Sequence, residues 1–266
     1  MKVNVLPVFV SLLVLTSCKK SSEADVEMSR GILAKGNESF LPLVVSLTMP
    51  IDKNTAAYCT GVLLGPRHVL TAAHCVNDAK EVIVKRYEKD FSTTPRKGVA
   101  WKHFPQFKEK DGSASPVMSA VDLGVVVIDK AFSPPYARLE TSQASQFNDA
   151  IYVGVGIIED ETLDLKVRYA KDIRTHRIDY RGWGVEWKSQ GTAKLCHGDS
   201  GGPLLTSAGA LLGVQSTSSY TSKAVCGESI STHHAGVLAN LNWIACTFKG
   251  WGVPLPGLEK PNCSSK

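Results

Sequence analysis

Eight residues, Cys196-His197-Gly198-Asp199-Ser200-Gly201-Gly202-Pro203, gather one serine, one acid and several turn-forming residues. Glycines on both sides of Ser200 free the backbone from the steric limits that hold other residues. That freedom can push the Ser200 hydroxyl outward and turn neighbouring N–H groups toward one point. A serine attacks poorly until a base takes its proton, so the stretch calls for a histidine elsewhere. His74, in Thr71-Ala72-Ala73-His74-Cys75, supplies one, and Asp122, in Val121-Asp122-Leu123-Gly124, supplies an acid to orient it. Asp111 and Asp129 are alternative acids. Taken singly, each feature has a plainer reading: a structural histidine, an aspartate before a strand, a glycine-rich turn. Cys59, His68, His74 and Cys75 also allow a zinc site, but they lack a close Cys-x-x-Cys pair, and no metal or other cofactor is expected.

Together, the TAAHC and GDSGGP stretches resemble the trypsin/chymotrypsin-like serine peptidase family, and the resemblance runs from about Ile32 to Trp243. It implies that His74 takes the Ser200 proton and returns it to the leaving amine, while Asp122 fixes the His74 tautomer. The backbone N–H groups of Gly198 and Ser200 would bind the oxyanion. Asp122 is favoured over the other acids because it directly precedes an apolar run, as the family requires. The implied fold is all-β, two antiparallel six-stranded β-barrels with a C-terminal helix. Substrates would be proteins or peptides. The alternative is a catalytically silent binding protein on the same fold.

The family places a pocket-floor residue six positions before the nucleophile, an aspartate in members that cut after Arg or Lys. Here it is Lys194. A cation there would repel basic side chains and attract acidic ones. Ser216, Ser218, Thr232, His233 and His234 are expected near the pocket walls, where hydroxyls and histidines resemble those of glutamate-cutting members. The expectation is therefore cleavage after Glu or Asp. If Lys194 instead reaches solvent, the pocket takes small or apolar residues. Activation in the family follows a cut that exposes a new Ile or Val amine, which buries against the acid before the nucleophile. Ile32 after Arg30-Gly31 is the nearest candidate and Asp199 the acid, although one glycine intervenes and the segment from Ile32 to Pro42 is short.

These side chains need elements to hold them. The chain has 266 residues, 43% hydrophobic, with 22 glycines and 13 prolines, which suits many short strands. Leu41–Leu47, Cys59–Leu64, Glu81–Tyr87, Ala150–Val155, Val167–Ile173 and Ala210–Thr217 read as strands. Leu123 to Ile128 is continuously apolar, as in a strand buried on both faces. Phe91 to Ala120, rich in Pro, Lys and Ser, reads as surface loop, and Ser133-Pro134-Pro135-Tyr136 as the crossing between halves. Val237, Leu241, Ile244 and Phe248 form a helical stripe.

A net charge of +5 with no long basic run argues against nucleic acid as a partner. Lys2, the apolar run from Val5 to Leu15 and Leu15-Thr16-Ser17-Cys18 resemble a bacterial lipoprotein signal. Residues 1–17 would then be removed and Cys18 lipidated, anchoring the protein outside the cytoplasm, on the outer membrane where the host has one. Residues 18–31 would form a tether and pro-segment, so that cleavage before Ile32 would also release the enzyme. Residues 32–250 form the expected peptidase domain, with barrels over about 32–140 and 141–250, and 251–266 a tail. A monomer is expected. Six cysteines remain after Cys18, an even number that suits disulfides in an exported chain. The resemblance implies Cys59–Cys75 and Cys196–Cys226, leaving Cys246 and Cys263 to pair by default.

Overall fold

A computed structural model describes residues 31–108, 116–156, 166–181, 184–190, 194–220 and 226–263. The chain enters through a two-residue strand, β1 (Ile32–Leu33), and a 3-10 turn at Leu41–Leu43. Then come β2 (Val44–Pro50), β3 (Ala56–Gly65), β4 (His68–Thr71), the short helix α1 (Ala73–Val76) and β5 (Ile83–Tyr87). β6 (Thr93–His103), helix α2 (Pro116–Ala120) and β7 (Gly124–Ile128) follow. Strands β2 to β7 close a barrel in the order β2-β3-β4-β7-β6-β5, with every pairing antiparallel.

β8 (Arg138–Leu139), β9 (Gln146–Gly154), β10 (Arg168–Tyr180), β11 (Gly184–Gln190) and β12 (Lys194–Cys196) begin the second half. β13 (Pro203–Leu205), β14 (Ala210–Tyr220), β15 (Cys226–Gly236) and helix α3 (Leu241–Gly250) complete it. The antiparallel pairings β15–β11, β11–β10, β10–β9, β9–β13, β13–β14 and β14–β15 form a second closed ring of six strands. The expected two-barrel fold with a C-terminal helix is therefore present. The sheets do not respect sequence order: β1 pairs with β10, and β8 pairs in parallel with β14. β1, from the start of the described chain, and β8, from the segment joining the two barrels, thus both join the second barrel's sheet.

β7 explains how a continuous apolar run works inside an antiparallel barrel. All five of its residues are buried. Successive side chains point to opposite faces of a strand. Val126 and Ile128 enter a core with Val45, Leu47, Leu63, Val69 and Val84. Val125 and Val127 face a second core shared with Val214, Ile244 and Phe248. Residues of the second barrel and of α3 therefore meet the first barrel at this strand. Phe248 also sets its ring edge-on to His68 at 4.7 Å.

The loop expected over Phe91 to Ala120 is corrected by β6, an eleven-residue strand hydrogen-bonded on both sides. Its less exposed alternate positions include Thr94, Arg96, Gly98 and Ala100, so no apolar alternation marks it in the sequence. The Arg96 guanidinium instead lies 5.0 Å from the Phe132 ring centroid. Disulfides join Cys59 to Cys75 and Cys246 to Cys263. Cys196 is also disulfide-bonded, and its backbone lies directly opposite that of Cys226 in the β12–β15 ladder. Among the described residues no helix is long and apolar enough to cross a membrane. Cys18 and the rest of residues 1–30 lie outside the described residues.

Candidate active site

His74 and Asp122 come from segments 48 residues apart that the first barrel brings side by side. β4 pairs with β7 so that Thr71 lies opposite Gly124, which sets the start of α1 against the residue just before β7. His74 Nδ1 is 2.8 Å from Asp122 Oδ2, and the His74 backbone N–H donates to Oδ1 at 3.0 Å. The Ser216 hydroxyl donates to Oδ2 at 2.7 Å. Asp122 is only 2% exposed. Burial pushes its carboxyl up, but the His74 charge and the donors from His74 and Ser216 outweigh burial and hold it below the ordinary carboxylate range. An ionised carboxylate can only accept, so the His74 Nδ1 proton is directed at Asp122. Asp129, by contrast, caps the backbone N–H groups of Lys97 and Lys130 on an exposed edge. Asp111 lies outside the described residues.

His74 and Ser200 line one cleft of about 340 Å³, together with Met49, Tyr58, His197 and Gly198. Ser200 sits in a loop whose two flexible points are used: Gly198 has φ +99 and Gly201 φ +81. At Gly201 a Cβ would come within 2.1 Å of Thr71 Oγ1 and 2.2 Å of the Thr60 carbonyl, so the loop can approach the first barrel this closely only with glycine there. Asp199 turns inward, accepting from the Gly156 N–H at Oδ1 and the Cys196 N–H at Oδ2, both at 2.8 Å. Its own carbonyl accepts from the Tyr152 hydroxyl at 3.0 Å. Burial pushes the Asp199 carboxyl up to about 6, against the pull of those two N–H groups and the nearby Arg168 charge. Among the described residues, neither the Gly198 nor the Ser200 amide donates to another backbone carbonyl.

The expected pocket residues separate. The Ser216 hydroxyl is committed to Asp122, to which it donates. Ser218 and Thr232 are direct partners across the β14–β15 ladder and share a face. Strand alternation sends His233 to the other face. There its Nδ1 lies 2.7 Å from Oε1 of the fully buried Glu186, which removes it from the Thr232 wall. His234 is fully buried with Nδ1 3.2 Å from the Trp187 carbonyl, and burial lowers its pKa to about 3. The backbone of Lys194 pairs with Glu228 in the β12–β15 ladder, but its side chain lies outside the described residues.

The expected pairing of Ile32 with Asp199 needs a cut before Ile32, and in the uncut chain Ile32 has its own place in a sheet. It is held in β1 opposite Tyr169, whereas Asp199 lies against Gly154, the β9 partner of Arg168. Tyr169 and Arg168 are consecutive and point to opposite faces. The alternative zinc ligands are likewise engaged. The Cys59 and Cys75 sulfurs are bonded to each other, His74 is bonded to Asp122, and His68 Nε2 is shared by the Val253 and Pro254 carbonyls.

Thr60 was not legible as a site residue. Its N–H donates to the Ser200 carbonyl at 2.8 Å, and its hydroxyl donates to the Gly198 carbonyl at 2.8 Å. The one available signal was a hydroxyl inside the otherwise apolar stretch Cys59–Leu64, since buried polar groups need partners.

A family model described as Trypsin matches residues 33–244. The collagenase of Hypoderma lineatum is 24% identical over 260 residues, covering 89% of this chain and 95% of its own length. Spermosin of Halocynthia roretzi is 24% identical over 231 residues, covering 77% of this chain and 57% of its own. The solved structure of HL collagenase superposes with a TM-score of 0.61 at 22% identity, covering 84% of this chain and 98% of that one. Neuropsin, a serine protease of mouse brain, gives 0.62 at 19%, covering 82% and 98%. The two structural likenesses carry the fold, and the match over most of the chain carries the family. The chain belongs to the trypsin family and is a trypsin-like serine endopeptidase.

Proposed function

We propose that Ser200 is the nucleophile, His74 the general base and Asp122 the orienting acid of an extracytoplasmic endopeptidase. The observation that carries this reading is the buried Asp122 carboxylate gripping His74 at both its ring and its backbone, with Ser200 in the same cleft. His74 Nε2 takes the Ser200 proton as Oγ attacks the substrate carbonyl carbon. The imidazolium so formed sits against Asp122, which stabilises it. The oxyanion rests on the Gly198 and Ser200 N–H groups, each worth roughly 3 kcal/mol in such sites. His74 then gives its proton to the departing amine, and water repeats the sequence on the acyl-enzyme.

Lys194, with the Ser218 and Thr232 hydroxyls, supports a preference for Glu or Asp before the scissile bond. His233 contributes nothing to that argument once it is tied to Glu186. The disulfides favour an oxidising compartment. Lipid anchoring at Cys18 rests on the sequence alone, and the mass of the mature amino-terminal peptide tests it.

The experiment is a peptide-library digest read by mass spectrometry, run on the protein and its Ser200→Ala variant, with fluorophosphonate labelling in parallel. Cleavage and labelling by the first and neither by the second support the triad. Cleavage that persists in the variant overturns it. Cuts confined to Arg or Lys sink the acidic preference. A folded protein that neither cleaves nor labels favours a silent binding protein.

A further inference from the structure

Thr60 lies on β3 of the first barrel, yet its hydroxyl and backbone N–H serve segments of the second half of the chain. The residue is fully buried. Its hydroxyl hydrogen goes to the Gly198 carbonyl at 2.8 Å, and its oxygen accepts the Val155 N–H at 3.1 Å. Its backbone N–H goes to the Ser200 carbonyl at 2.8 Å, and its own carbonyl accepts the Thr71 hydroxyl at 2.7 Å. Both hydroxyl roles, donor and acceptor, are therefore filled in one direction only. Rotating the hydroxyl would break a bond to a buried group.

The placement of those bonds matters more than their number. The Gly198 carbonyl belongs to the peptide between Gly198 and Asp199, which separates the peptide carrying the Gly198 N–H from the one carrying the Ser200 N–H. The Ser200 carbonyl belongs to the next peptide along. A grip on both carbonyls sets the orientation of the peptides between and beside them. Gly198 and Gly201 adopt backbone angles that side chains rarely allow, and the Tyr152 bond to the Asp199 carbonyl and the N–H groups on its carboxylate hold the loop beside the Thr60 bonds.

We infer that the Thr60 hydroxyl is a positioning residue for the oxyanion-binding loop, a strut from the first barrel that joins the Gly198 carbonyl to the Val155 N–H and so aims the Gly198 and Ser200 amides. The inference rests on the reading of those two amides as oxyanion donors. It gives the first barrel a second role beyond carrying His74 and Asp122. All of these bonds are made while Ile32 is still within the chain, so the strut holds without a new amino terminus.

The test compares Thr60→Val, which keeps the shape and removes both hydroxyl bonds, with Thr60→Ser, which keeps the hydroxyl. Three readouts are taken on each: kcat and KM with a peptide amide, affinity for a peptide aldehyde, and hydrogen exchange of the peptide spanning residues 196–205. The aldehyde forms a hemiacetal with Ser200, and its oxygen occupies the oxyanion position. Thr60→Val is expected to lower kcat about 10- to 100-fold with KM within about twofold, a fraction of the 10²–10³ lost when a donor is removed outright. Aldehyde affinity should fall by a similar factor, exchange over 196–205 should quicken, and Thr60→Ser should recover most of each. A loss carried by KM alone, unchanged exchange, or equal loss in the serine variant overturns the inference. If Thr60→Val does not fold, Thr60→Gly, which leaves room for a water, is read by the same criteria. Activity surviving in Ser200→Ala would defeat the nucleophile assignment instead. Hydrogen exchange reads the strut whether or not turnover is detected.

Discussion

Asp199 gives the sharpest quantitative expectation. Its carboxyl is enclosed, and burial raises its pKa from 3.8 to about 6. A shift of about 2 units is worth about 3 kcal/mol of differential free energy. The sign follows from proton counting. Between about pH 4 and 6 the folded state holds a proton on Asp199 that the unfolded state has lost, so this group's contribution to stability grows as pH falls through that window and is absent above it. Asp199→Asn removes the titration while keeping the shape, although its amide N–H₂ meets one of the two N–H donors from Gly156 and Cys196. The assay is urea unfolding of both proteins from pH 7 to pH 4 with disulfides intact. The wild-type advantage over the variant should increase by about 2 kcal/mol between pH 7 and pH 4, most of the full linkage. Arg168→Met, which removes the cation that pulls the Asp199 pKa down, should move the window upward. A wild-type-minus-Asn difference that stays flat from pH 7 to pH 4 refutes the reasoning, since it would mean a carboxyl titrating as if in water.

Ser216→Ala leaves Asp122 one donor short. A hydrogen bond to a charged group is worth about 1.5–3 kcal/mol, so kcat should fall roughly 10- to 100-fold with little change in KM, measured on a peptide amide. His234 acts in the opposite sense to Asp199. Its pKa is lowered to about 3 by burial, so its stabilisation is full above about pH 6.5 and is lost at about 1.4 kcal/mol per pH unit as pH falls toward 3. Replacing it in His234→Phe should flatten that acid limb in unfolding experiments, and an unchanged limb would exclude His234 as its source. Removing the Cys59–Cys75 bond with paired serines opens a loop of separation 16 and should lower stability by about 3 kcal/mol, read from the thermal midpoint.

Much of the site was legible because its chemistry depends on residue types that few other arrangements need. Ser200 between glycines, a histidine before a cysteine, and an acid ahead of an apolar run are local patterns, and each survives without knowledge of contacts. β7 was equally legible, since a strand whose two faces enter two different cores must be apolar throughout. β6 was not, because its inward positions carry Thr, Arg, Gly and Ala, which erase the alternation that marks a half-buried strand. The faces on which Thr232 and His233 land were not legible for a related reason. Thr232 and His233 are neighbours in sequence but face apart on β15, and the side on which each lands depends on register and on the irregularity in the β14–β15 ladder between Gln215 and Thr217.

The sequence by itself determined the candidate site residue types, the turn-forming glycines around Ser200 and the two-barrel fold that the motif pair implies. Only the tertiary structure decided which partners complete the site: Ser216 on Asp122 across 94 residues, Glu186 on His233 across 47, and Thr60 on Gly198 across 138. A hydroxyl looks the same in sequence whether it faces a pocket, an acid or a carbonyl. Barrel closure sets which of these lies within hydrogen-bonding distance, and that distance is fixed by strand register and by the packing of one barrel on the other.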